Sequence, residues 1–156
     1  MTSESIMNFI KQQAAGFYLN TLALVAALVA MVFYFVNCNT SYFLSSGTNV
    51  GVIACSIAAI ALEAVILGAN QTRAVAGGWA RVVLDVCCVA ASVTLMCAFT
   101  YFLSDRINAI ASIATFNQNA QNMADLMSAF YSLAAYLVAI VLSVVASYCK
   151  VAKRNA

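Results

Sequence analysis

Glu63 and Asp85 are the acidic residues that fall inside long apolar stretches of this chain, and they are its first candidates for chemistry. Glu63 stands about six residues before the end of the second stretch and Asp85 about six after the start of the third, which places both roughly 9 Å deep in helices rising ~1.5 Å per residue. Adjacent antiparallel helices bring two such positions to one level. Arg81 precedes Asp85 by four residues and can pair with it along one helix face. Asn20 and Thr21 enter the first helix near the same depth. Ionisable groups in this setting are costly unless paired, and they often mark ion or substrate paths. Two readings stay open. In one, Arg81 neutralises one or both carboxylates as a polar staple; in the other, Glu63 and Asp85 line a path. The resident cation and the nearness of the interface favour the staple. Acid–base catalysis lacks a clear nucleophile beside these residues, and the absence of His removes the commonest general base and metal ligand.

The six cysteines, Cys38, Cys55, Cys87, Cys88, Cys97 and Cys149, contain no C-x-x-C pair, so a thiol–disulfide relay is poorly supported. Cys55 and Cys97 share a depth that would allow a disulfide, but free thiols as small apolar residues are the better expectation. Adjacent Cys87 and Cys88 point to different helix faces and are ill placed to share a metal. A third constellation gathers amides with rings: Asn108, Asn117, Gln118, Asn119, Gln121 and Asn122 with Phe116, Tyr42 and Phe43. It suits a neutral polar ligand such as a sugar, or a protein surface; the simpler role is to cap helix ends and turns. Asn39-Thr40-Ser41 matches a glycosylation acceptor only formally.

The elements that must position these residues follow from composition. Of the 156 residues, 65% are hydrophobic and 8% charged, with a mean hydropathy of +0.95. Ordinary soluble domains carry about 25% charged residues. The balance excludes a soluble enzyme, a disordered chain and a nucleic-acid binder, and points to an all-α polytopic membrane protein. No cofactor or metal is expected, and membrane lipid is the expected surrounding. Four apolar runs approach the ~20 residues that cross a bilayer, at about 17–37, 50–69, 79–103 and 126–149. Each must satisfy its backbone internally as a helix, and Pro is absent. Residues 17–156 are expected to form a single four-helix bundle.

Residues 1–16 read as a retained cytoplasmic tail rather than a cleavable signal. Ile6, Phe9 and Ile10 share a face there, consistent with a short interfacial helix or a frayed extension of the first span. Lys11, Arg73, Arg81, Lys150, Lys153 and Arg154 stand against Arg106 alone on the other side. This asymmetry places both termini in the cytoplasm of a multi-pass protein of the cell membrane. The connection at about 104–125 contains no Gly or Pro and repeats Ile107, Ile110, Ala111 and Ala114 at helical spacing. Helices three and four are therefore expected to extend outside the membrane as a hairpin that breaks near Phe116–Asn119, with Asn119 or Asn122 opening the fourth helix. Tyr42-Phe43-Leu44 is its natural cover, while Ile107, Ile110, Phe116 and Met123, with Tyr42 and Phe43, are the candidates for an outer interface. Small-residue stripes for close packing are Ala23, Ala27 and Ala30 in the first helix, Ala54, Ala58 and Ala61 in the second, and Ala135, Ala139, Ser143 and Ser147 in the fourth.

The stretch Asp105-Arg106-Ile107-Asn108 through Thr115-Phe116 to Asn119-Ala120-Gln121-Asn122-Met123-Ala124-Asp125-Leu126 resembles a signature of small bacterial four-helix membrane proteins. Phe17-Tyr18-Leu19 and Phe33-Tyr34-Phe35-Val36-Asn37 are similar to the ends of their first span. The resemblance brings no catalytic residue or cofactor, and implies company with carbohydrate-uptake systems. Together these features predict a non-enzymatic membrane subunit that self-assembles or packs beside a larger transporter. The alternative is a small oligomeric channel or transporter with Glu63 and Asp85 along its path; four helices are few for a monomeric transporter. A membrane thiol enzyme is disfavoured by the cysteine spacing.

Overall fold

The computed structural model describes residues 15–71 and 78–149. It is all-helical: α1 (Ala15–Cys38), α2 (Val50–Gln71), α3 (Gly78–Thr115) and α4 (Ala120–Tyr148), with a 3-10 turn at Leu44–Ser46. All four helices are long and apolar enough to cross a membrane. The expected turn of helix in the N-terminal tail lies outside the described residues, as do the tail cations and Arg73.

The helices form a four-cornered bundle in which α1 packs on α2 and α4, and α3 packs on the same two. The Asn37–Ser128 hydrogen bond and the bond from Ser132 to the Ala30 carbonyl run α1 and α4 antiparallel. One end of the bundle carries the α1–α2 loop and the α3–α4 turn, the hairpin end; the other carries the start of α1 and the end of α4, the terminal end.

The buried positions recur at alternating steps of three and four: Asn20, Ala23, Ala27, Ala30, Tyr34 and Asn37 on α1, and Val52, Ser56, Ala59, Glu63 and Ile66 on α2. This is the seam of left-handed helix packing. Bulky Val25, Leu28, Val32 and Val36 of α1 point outward, while alanines face in. In lipid, burying a valine side chain gains little over leaving it among acyl chains, so small residues that allow close backbones take the interior. The α1 stripe is buried as expected. On α2 the inward face differs: Ala54, Ala58 and Ala61 are exposed, and the line through Ser56 and Glu63 is buried. Both faces are small enough to pack; only the second brings the polar side chains of α2 to partners across the bundle. On α4, Ala139 and Ser143 are buried, Ala135 is half-buried and Ser147 is exposed.

Helix α3 runs unbroken for 38 residues, about 57 Å, well beyond a hydrocarbon core of ~30 Å. The chain turns at Phe116–Asn119. Asn119 caps α4, its side chain accepting from the Asn122 amide at 2.7 Å, and Asn122 donates back to the Asn117 carbonyl at 2.9 Å. At least these two amides thus serve the turn itself. In the α1–α2 loop, Gly47 adopts φ 66°, ψ −157°, a region other residues rarely visit. Asn49 then caps α2, its Oδ1 accepting from the Gly51 amide at 2.8 Å.

Candidate functional site

Two buried polar clusters occupy opposite ends of the bundle, separated by aromatic rings. At the hairpin end, Arg106 is 0% exposed. It continues the core line of α3 through Leu95, Ala98 and Phe102, one helical turn past the last of these. Its Nη2 donates to the Gly47 carbonyl at 2.8 Å and approaches the Cys38 sulfur at 3.3 Å. The guanidinium lies 5.1 Å from the centre of the Phe43 ring, a cation–π arrangement. Its Nε stands 3.4 Å from Asp105 Oδ2. Across from it, Asp125 on α4 accepts the Tyr42 amide at Oδ2 and the Gln121 side chain at Oδ1, both at 2.9 Å. Tyr34 accepts the Asn49 amide at 2.6 Å, and Tyr42 donates to Ser112 at 3.2 Å. The α1–α2 loop is therefore drawn down over the bundle end by one cation from α3 and one carboxylate from α4. Backbone groups that helices leave unpaired at their ends and in loops find charged partners here.

Below this cap, Tyr34, Phe102 and Tyr136 pack across the axis. The Tyr34 and Phe102 rings meet edge-on at 5.1 Å, and Phe102 and Tyr136 lie 6.3 Å apart. The Tyr136 hydroxyl pairs with Ser56 at 2.7 Å. Ser56 already directs its hydrogen to the Val52 carbonyl at 2.7 Å, so Tyr136 is the donor.

Toward the terminal end lies the second cluster. Glu63 is 0% exposed and its Oε1 accepts from Ser143 at 2.7 Å. The bond crosses between diagonally opposed helices, α2 and α4. Ser143 in turn stands 3.1 Å from Ser92 on α3. Ser143 donates to the carboxylate, and the Ser92 hydroxyl, with one hydrogen, stands within reach of both Ser143 and the Cys88 carbonyl, the latter at 3.2 Å. Among the described residues, Glu63 Oε2 has no hydrogen-bond partner, nor has the Asn20 Nδ2 of α1.

No family model, curated protein or solved structure matches this chain.

The sequence-derived polar group is thus distributed in space. Glu63 and Asn20 are buried, whereas Thr21 returns its hydroxyl to the Phe17 carbonyl at 2.9 Å. Asp85 is exposed on the outward face of α3, in a shallow groove with Val82, Val86, Val89, Ala90 and Val93. The Arg81 side chain lies outside the described part, and with it the pairing expected for the staple. Glu63 therefore lies inside the bundle and Asp85 on its outer surface.

Among the outer-interface candidates, Phe43 is buried and Tyr42 and Ile110 are half-buried beneath the loop. Ile107, Met123 and Phe116 remain 47%, 40% and 87% exposed. All six cysteines are free. Sequence reasoning missed the burial of Arg106, counting it only as an external charge. Its register with Phe102 was the available signal.

Proposed function

We propose that this chain is a non-enzymatic integral membrane subunit that self-assembles or packs beside a larger transporter, with both termini in the cytoplasm and the hairpin end outside. Lysine and arginine asymmetry supports the orientation. The resemblance to small bacterial four-helix proteins suggests a carbohydrate-uptake system as the larger partner.

The observation that carries the reading is the uncovered side of the hairpin end. The α1–α2 loop seats Phe43 in the core and covers part of the α3–α4 hairpin, while Phe116, Ile107 and Met123 stay exposed. In the proposed orientation these residues project beyond the hydrocarbon, where an apolar patch on a small protein marks an interaction surface. Asp85 on the outward α3 face points the same way, because a carboxylate in lipid favours a protein neighbour.

The channel reading keeps one favourable observation, the buried Glu63. In a single bundle, however, the Tyr34–Phe102–Tyr136 layer stands between Glu63 and the hairpin end. Asp85 would join a path only at a contact between copies.

The test is the assembly size of the gently solubilised protein, by native mass spectrometry or light scattering. The wild type is expected as an oligomer or in a larger complex. Changing Ile107 and Phe116 together to Asp should release the folded, membrane-inserted monomer. A wild type that is monomeric with nothing bound, or a double variant of unchanged size, would remove the support for this function.

A further inference from the structure

The Glu63 cluster raises a question that assembly does not answer. A carboxyl group has been taken out of solvent entirely, in a helix apolar enough to cross a membrane, and given one hydroxyl donor. Among the described residues its second oxygen has no hydrogen-bond partner. Among the described side chains the cation is Arg106, which lies fourteen residues beyond Ser92 on α3, about 21 Å along the helix. An uncompensated carboxylate in such surroundings is costly, and it requires a counter-ion or a proton.

Besides the carboxylate, the Ser143 and Ser92 hydroxyls can supply oxygen atoms to a small cation. Ser143 and Ser92 line up toward the carboxylate from α4 and α3. Asn20 comes from α1: ten residues back from Ala30 on α1 and eleven on from Ser132 on α4 lead to Asn20 and Ser143, so both belong to one layer. Asn20 is 1% exposed, and among the described residues its amide nitrogen, a hydrogen-bond donor and not a cation ligand, is unpartnered. All four helices thus contribute a polar side chain to a layer in which two buried polar atoms are left unsatisfied. Native interiors rarely leave such atoms without an unseen occupant or a functional reason. Among the described side chains the titratable neighbours are Cys88 and Asp85 on α3; neither α1 nor α4 presents a charged side chain to the layer.

We propose that Glu63, with Ser143 and Ser92, forms a binding site for one monovalent cation, either a proton or an alkali-metal ion, exchanged through the terminal end of the bundle. Oxygen ligands and a single carboxylate match the charge and hardness of such an ion. Glu63 lies eight residues from the end of α2 at Gln71, about 12 Å, whereas the aromatic layer obstructs the hairpin side. This goes beyond the assembly reading and does not depend on it.

A lipid-soluble fluorescent carbodiimide tests the site. It adds a protonated carboxyl group across its C=N bond, the oxygen bonding to carbon and the proton passing to nitrogen, with nothing released. Purified full-length Asp85→Asn protein in liposomes leaves Glu63 as the carboxyl group buried at this depth, and peptide mass mapping locates the adduct. Modification of Glu63 is measured over the interval from about pH 5 to pH 9, and its rate is expected to fall as pH rises. Glu63→Gln should remove the adduct. Ser143→Ala should shift the pH midpoint while Glu63 remains present. Protection by Na+ or K+ at constant pH identifies an alkali-metal ion; a rate set by pH alone identifies a proton. No adduct at Glu63 anywhere in the interval, or an adduct whose rate answers to neither pH nor alkali ions, overturns the proposal. Neither result bears on assembly size.

Discussion

Arg106 and Glu63 are both completely buried, yet their surroundings differ in kind. Arg106 has a carbonyl, a sulfur, an aromatic face and a neighbouring carboxylate around it. Its role is to hold the α1–α2 loop, and its substitution should be felt there. Arg106→Met keeps much of the side-chain volume but abandons the Gly47 carbonyl and the Phe43 ring. A hydrogen bond from a charged donor contributes about 1.5–3 kcal/mol. The relief of desolvating a guanidinium whose Nε and Nη1 lack hydrogen-bond partners among the described residues offsets part of this. A net loss of about 1–2 kcal/mol is expected on that balance, read as a lowered midpoint of unfolding in detergent. The more discriminating measurement is hydrogen exchange. The Leu44, Ser46 and Gly47 amides, bonded to Thr40, Phe43 and Leu44 carbonyls, should exchange faster, while the α4 interior is unchanged. Uniform acceleration across the bundle would assign Arg106 to global stability instead.

At the scale of elements, the α1–α2 loop and the α3–α4 hairpin form one unit. Asp125, in α4, accepts the Tyr42 amide, and Tyr42 reaches Ser112 on α3. The chain can pass beneath Arg106 only because Gly47 takes a positive φ and presents its carbonyl to the guanidinium. A Cβ there meets no neighbouring atom, so the cost of Gly47→Ala is conformational rather than steric crowding from elsewhere. Conformations of this class cost non-glycine residues on the order of 1–3 kcal/mol. Thermal unfolding of Gly47→Ala should show a destabilisation of that order; an unchanged midpoint would mean that the loop has an alternative route. The hairpin was legible in the sequence because its cues are local. Apolar residues recur at helical spacing through Ile113, no breaker interrupts them, and amides gather at the turn. The loop's attachment was less legible. Phe43 and Tyr42 marked it as a cover, but Arg106 and Asp125 act on backbone groups more than fifty residues away, and spacing carries no signal for that.

For the whole molecule, four helices that each cross a bilayer would impose a parity, with the start of α1 and the end of α4 on one side and the two connections of the hairpin end on the other. Reporter tags at Ala156 and within Ser45–Ser46 should therefore give opposite accessibility, with Ala156 reading as cytoplasmic. Equal readings would contradict the arrangement, and an inverted pair would show that lysine and arginine do not set its orientation. The bundle also has distinct exteriors. Valines and leucines cover α1, whereas α3 presents Asp85 among valines and, farther along, Met96 and Tyr101. An assembly that used α3 would shelter Asp85, while one that used the hairpin would cover Phe116. The size of the Ile107 and Phe116 double variant distinguishes between them.

The sequence by itself determined the number of helices, their approximate limits, the turn at Phe116–Asn119 and the close-packed stripe of α1. These depend on run length, local capping and small residues at helical spacing. Tertiary structure alone decided that α2 turns Ser56 and Glu63 inward instead of Ala54, Ala58 and Ala61, that Asp85 faces out, and that Arg106 is interior. In water, apolar periodicity marks the core face of a helix. In helices apolar on every side, it marks nothing, because lipid receives valine as readily as a protein interior does. What orients each helix is then the pairing of its few polar groups, Ser143 with Glu63, Tyr136 with Ser56 and Arg106 with Gly47, and those partners belong to other elements of the chain.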